Sequence, residues 1–89
     1  MIQIAFSSSF KKAFSKFERT QTKSVQKYWD IIQLFIEDPF APQLKTHKLS
    51  GKLKDMWSLS IEYDIGVVFY FEKKDKVVFT DIGKHDEVY

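Results

Sequence analysis

Cysteine is absent from the 89 residues. Its absence removes disulfides, thiol catalysis and cysteine-ligated zinc together, and it agrees with a reducing compartment, so the expected location is cytoplasmic. Also missing is any apolar run near the roughly 18 to 20 residues needed to cross a bilayer. The opening "MIQIAFSSSFKK" lacks the basic-then-apolar order of a secretion signal, and no membrane partner is expected. Internal repeats, low-complexity tracts and linkers are lacking too, so the length allows one domain, residues 1–89. A chain of this size buries only about 60–65% of its unfolded surface, which demands an efficient core. Nine Phe, four Tyr and two Trp are available for it, and each buried aromatic removes roughly 150–250 Å² from water.

The net charge of +2 is unevenly divided. Residues 1–57 carry ten Lys or Arg against five Asp or Glu, a balance of +5, whereas residues 58–89 carry four against seven, a balance of −3. The densest basic stretch is "LKTHKLSGKLK", 44–54, where Lys45, Lys48, Lys52 and Lys54 surround His47 with no acid among them. Such a loop suits a polyanion such as RNA, whose affinity is largely phosphate neutralisation. Taken alone, it is equally an ordinary solvated lysine loop.

Periodicity supplies the frame. In "SSSFKKAFSKFERT" serine N-cap candidates precede Phe10, Ala13, Phe14 and Phe17 at helical spacing. "KSVQKYWDIIQLFIEDP" places Val25, Trp29, Ile32, Phe35 and Ile36 on a second helical stripe, which Pro39 ends. Both aromatic stripes are assigned to core packing. From residue 56 the period becomes two: "MWSLSIEY" sets Trp57, Leu59 and Ile61 against a wet face of Ser58, Ser60 and Glu62. "VVFYF" and "VVFTDI" follow, joined by the charged turn "EKKDK", and "IQIAF" is a strand that pairs at the sheet edge. The expected architecture is α+β: an N-terminal strand, two antiparallel helices on one sheet face, then a three-stranded antiparallel meander.

A basic loop holding a histidine, then "GKLKDMWSLSIEYD", an apolar hairpin and finally "DIGKHDEVY" resembles, in that order and spacing, the RelE/ParE toxin superfamily of bacterial toxin–antitoxin systems. The nearer branch is the YafQ-like messenger-RNA-cleaving toxins. The likeness covers the whole chain in element order; its specific part is residues 44–89, above all the closing Ile-Gly-x-His-x-x-x-Tyr pattern.

What the resemblance implies is an endoribonuclease without metal or cofactor that cleaves mRNA, commonly on the ribosome. The RNA 2′-hydroxyl attacks the adjacent phosphate, so the protein must take one proton, give another and stabilise phosphoryl charge. Histidine suits proton transfer because its unperturbed pKa of about 6.5 lies near working pH. His47 and His85, the only two histidines, match the family's acid and base positions, with their roles interchangeable at this level. Asp64 matches an acid that orients a histidine or accepts a proton. Tyr89 matches a terminal aromatic that stacks on a base or donates from its hydroxyl. Lys45, Lys48, Lys52, Lys54 and Lys84 would bind RNA phosphates. The implied partners are a cognate antitoxin, mRNA and the ribosome, with DNA reached only through the antitoxin complex.

Departures from the pattern are equally definite. Relatives often carry an arginine two residues after the Asp64 position, where a guanidinium can hold the scissile phosphate bidentately; this chain has Gly66. Ser60 replaces a third histidine of the YafQ-like pattern, Ser58 and Ser60 stand where RelE has catalytic lysines, and Asp81 falls near a family arginine. Losing a phosphate clamp costs on the order of 10² to 10³ in rate, so impaired activity is expected, with Gly66 read as a removed arginine rather than a bulge. Two alternatives remain at this level: a ParE-like inhibitor of DNA gyrase, which needs no histidine pair, and an inactive relative that only binds an antitoxin. His47 and His85 without a third ligand make a weak metal site, so none is expected.

Overall fold

The computed structural model describes all 89 residues. Strand β1 (Gln3–Phe6) leads into helix α1 (Ser8–Thr20) and, after a 3-10 turn at Thr22–Ser24, helix α2 (Val25–Glu37). The basic stretch then contributes a two-residue strand β2 (His47–Lys48) flanked by 3-10 turns, before β3 (Trp57–Glu62), β4 (Ile65–Lys73), β5 (Lys76–Lys84) and a closing helical turn α3 (His85–Val88). No helix is long and apolar enough to cross a membrane.

Local chemistry explains the helix ends. Ser7 lies in an extended conformation and its Oγ accepts the Phe10 N–H at 3.0 Å, capping α1 as the serine run predicts. At the other end of the pair, Asp38 before Pro39 is extended (φ −149°, ψ 94°), and α2 stops there. The buried stripe of α2 differs from expectation: it runs through Tyr28, Ile31, Ile32 and Phe35, while Trp29 is 48% exposed. Tyr28 packs between the helices, its ring 4.9 Å from Phe14 and 6.1 Å from Phe17. Trp29 is left on the rim, edge-on to the same Phe14, where indole N–H can stay wet.

The sheet has the order β1-β5-β4-β3-β2. Strands β3, β4 and β5 form the antiparallel meander, and β1 takes the edge beside β5, in parallel register with Gln3 opposite Lys76. The chain passes through both helices and β2–β4 between β1 and β5, a connection long enough for parallel pairing. One cluster of 16 buried residues lies between that face and the helices. At its centre Phe35 contacts Phe69 and Phe79 with ring centroids 5.2 and 5.8 Å apart. Burial of each such side chain contributes roughly 1.5–3 kcal/mol.

Strand alternation turns Leu59, Val67 and Phe69 toward this core and Ser58, Gly66 and Val68 away from it. That second face is not uniformly wet. Ser58 is only 1% exposed and Val68 only 3%, although Val68 lies outside the core cluster. The cover over Ser58 comes from Tyr89, the last residue of the chain.

Candidate active site

Strand β5 delivers its end onto the second face through a pair of glycines. Gly66 of β4 and Gly83 of β5 face each other in register, and α3 packs where their side chains would have been. A β-carbon on Gly83 would meet Glu87 Oε1 at 3.1 Å and Val88 at 3.4 Å; one on Gly66 would meet the Tyr89 hydroxyl at 2.6 Å and Ser58 Oγ at 3.4 Å. The two glycines together form the saddle in which the turn sits.

Four residues are too few to hold a helix by themselves, so α3 depends on its anchors. The His85 N–H donates to the Asp64 carbonyl at 3.1 Å, tying the turn to the β3–β4 connection, and the Tyr89 N–H donates to the His85 carbonyl at 3.0 Å. At its far end the hydroxyls of Tyr89 and Ser58 are hydrogen-bonded. Burial pushes the Tyr89 phenol pKa up, which keeps the hydroxyl protonated at neutral pH. At its near end Glu87 accepts the Lys84 N–H at 3.1 Å and the Lys16 ammonium of α1 at 2.6 Å. Those two hydrogen bonds, the Lys16 bond first, draw the Glu87 carboxyl below its ordinary pKa.

The four candidate catalytic residues, His47, Tyr89, His85 and Asp64, lie along one path through Ser58, with His47 and Asp64 joined to it through backbone alone. His47 of β2 lies opposite Ser58 of β3 in register; Ser58 holds Tyr89; the Tyr89 ring stands 4.9 Å from the His85 ring; His85 is bonded to the Asp64 backbone. His47 is exposed, and its Nδ1 lies 2.9 Å from the carbonyl of Lys45, a residue in left-handed conformation (φ 51°). A carbonyl can only accept, so Nδ1 carries the proton and the neutral ring presents Nε2 as its free lone pair. The lysines divide. Lys52 joins Leu49, Leu53, Val88 and Tyr89 around an open groove of ≈ 590 Å³, while Lys84 caps α3. Lys45, Lys48 and Lys54 are exposed outside that groove. No three His, Cys, Asp or Glu side chains gather as a metal site would require.

The family described as the bacterial toxin of the type II toxin–antitoxin system, YafQ, matches residues 2–89. The chain belongs to the YafQ toxin family. Among solved structures, YafQ from E. coli superposes with a TM-score of 0.80 at 20% identity, over 100% of this chain and 99% of that one. A copper-bound mutant toxin from Helicobacter pylori is 27% identical with a TM-score of 0.76 and complete coverage of both chains. A YoeB/ParE toxin from Agrobacterium tumefaciens is 21% identical with a TM-score of 0.76, over 94% of this chain and 99% of that one. A search of curated proteins found no match.

Within the YafQ family frame, the fold supplies a structural reason for Gly66. Any side chain there displaces the Tyr89 hydroxyl, so glycine at 66 and the docked tyrosine go together. Three contributors were not legible as such. Ser58, expected on a wet face, is enclosed because Tyr89 lies on it. Glu87, to which the sequence reading gives no role, is the anchor of α3; its position three residues after Lys84, in capping-box spacing, was the available signal. Lys16 carries no signal, since only the tertiary fold sets it beside a residue 71 positions away.

Proposed function

We propose that this chain is the toxin of a type II toxin–antitoxin pair and cleaves messenger RNA by metal-independent acid–base catalysis. The supporting observation is the approach of the His85 and Tyr89 rings to 4.9 Å beside a groove that holds Lys52, with His47 on the neighbouring strand opposite the Ser58 that bonds Tyr89. His47 acts as base: with Nδ1–H committed to the Lys45 carbonyl, Nε2 takes the proton of the RNA 2′-hydroxyl as that oxygen attacks the adjacent phosphorus. His85 acts as acid, giving a proton to the departing 5′-oxygen, and the products are a 2′,3′-cyclic phosphate and a free 5′-hydroxyl. Asp64 fixes His85 through its backbone. Tyr89, protonated, donates toward the phosphate or stacks on a flanking base.

Lys45, Lys48, Lys52, Lys54 and Lys84 neutralise the RNA backbone. With glycine at 66 no guanidinium clamps the phosphate, and the proposed activity is weaker than that of arginine-bearing relatives by about 10² to 10³. E. coli YafQ has been solved with DinJ, and Staphylococcus aureus YoeB with YefM; an antitoxin of this chain's own is the corresponding partner, the ribosome presents the mRNA, and DNA is met only through the antitoxin complex.

Primer-extension mapping of cuts on ribosome-bound mRNA tests the proposal. Cuts made by the parent chain should vanish with His85→Ala and with His47→Ala. A parent that leaves mRNA intact but poisons DNA gyrase would instead establish the ParE-like activity.

A further inference from the structure

The closing helical turn carries two proposed site residues yet contains only His85–Val88. A helix of one turn has almost no stability of its own, so the placement of His85 and Tyr89 is decided by what grips the turn from outside. Ser58 grips one end. The other end is held by the Asp64 carbonyl, which accepts the His85 N–H at 3.1 Å, and by Glu87, whose two carboxylate oxygens are used separately: Oε1 accepts the Lys84 N–H at 3.1 Å, and Oε2 accepts the Lys16 ammonium of α1 at 2.6 Å. Gly83 leaves the room this arrangement needs, since a β-carbon there would lie 3.1 Å from Glu87 Oε1.

We propose that Glu87 is a positioning residue: by joining the backbone of Lys84 to Lys16 it holds α3 on the sheet and sets where His85 and Tyr89 meet the RNA phosphate. The consequence for cleavage rests on the ribonuclease reading; the docking of α3 does not. A surface ion pair in a rigid helix adds little. Here it acts on a segment with few other anchors, so a small change in free energy becomes a visible change in docked population.

Both side chains of the pair are well exposed, so substituting them leaves the core intact. The informative variants are Glu87→Gln and Lys16→Met, which remove the ion pair, Lys16→Arg, which keeps it, and Lys12→Met, which removes a nearby exposed charge of α1. Amide hydrogen exchange at neutral pH, where the ion pair is intact, reports docking directly, because the His85 N–H is bonded to the Asp64 carbonyl only while α3 is seated. In Glu87→Gln and Lys16→Met the His85 exchange rate should rise about three- to tenfold. In Lys16→Arg and Lys12→Met it should stay with the parent. Cleavage should follow, with kcat lowered about three- to tenfold in the first two variants and KM changed much less.

A His85 exchange rate identical in the parent, Glu87→Gln and Lys16→Met overturns the proposal, as does faster exchange with undiminished kcat. If exchange quickens as expected but the parent itself cuts no RNA, α3 is positioned by Glu87 and it is the ribonuclease reading that fails.

Discussion

The hydroxyl of Tyr89 lies 2.6 Å from the point where a β-carbon on Gly66 would stand. One place on the sheet is thus shared between position 66 and the final aromatic of this chain. A guanidinium-bearing side chain and a docked tyrosine exclude each other, so Gly66→Arg should help only when the tyrosine is gone. In a Tyr89→Ala background Gly66→Arg should raise cleavage by on the order of tenfold or more, as restored phosphate clamping requires. In the parent it should raise it far less or lower it. A double-mutant cycle on initial cleavage rates measures the difference, and additive effects would refute the shared-space account.

Ser58 is enclosed by the residue it holds. Ser58→Ala removes one hydroxyl and leaves the Tyr89 phenol half-enclosed without its partner, which costs stability about 1 kcal/mol. Cleavage should drop about three- to tenfold through misplacement of Tyr89. Denaturant midpoints and kcat on the same preparations separate the two effects.

Asp81 and Glu87 respond to pH in opposite senses. Burial raises the Asp81 pKa, with repulsion from Glu87 adding to it against the Ile82 N–H bond. A carboxyl raised in the folded state stabilises below its unfolded value and withdraws that stability as pH rises through the folded value. Glu87 is lowered instead, so its contribution is complete above the unfolded value of about 4.5 and is lost as pH falls through the depressed folded value. Asp81→Asn keeps an oxygen for the Ile82 N–H, 2.9 Å from Oδ1, and removes the charge. Its partial exposure limits the gain, and a rise in Tm on the order of 1–3 °C at neutral pH is expected by calorimetry, absent at acid pH.

Phe35 has no exposed surface and joins α2 to β4 and β5. Phe35→Ala should cost about 3–5 kcal/mol, a large share of the roughly 5–15 kcal/mol available to a domain. Chemical denaturation should show a midpoint collapse in this variant, in contrast to the small effect of Ser58→Ala.

Much of the framework was legible along the chain. Serine capping, the Pro39 stop and the change of period at residue 56 are local signals, and α1, α2 and the meander follow them. The closing pattern around Gly83, His85 and Tyr89 likewise marked the segment that packs on the second sheet face. Two features escaped. Strand β2 is only His47–Lys48, too short for any period to register. The exposed side of α2 was misplaced because helical spacing alone does not rank Tyr28 against Trp29 when a second helix supplies part of the cover.

What the sequence by itself determined is β1, the two long helices, the three-stranded meander and the chemical types near the end of the chain, since these depend on neighbours a few residues apart. Only the tertiary structure decided how those types meet. It enclosed Ser58, made Glu87 an anchor by bringing Lys16 to it, committed one nitrogen of His47, and turned Gly66 into the seat of Tyr89. The physical reason is the same in each case: these contacts join groups far apart in the chain, apart from the His47 bond, which needs the left-handed Lys45 turn. Their geometry is fixed by strand register and by how α3 lies on the sheet.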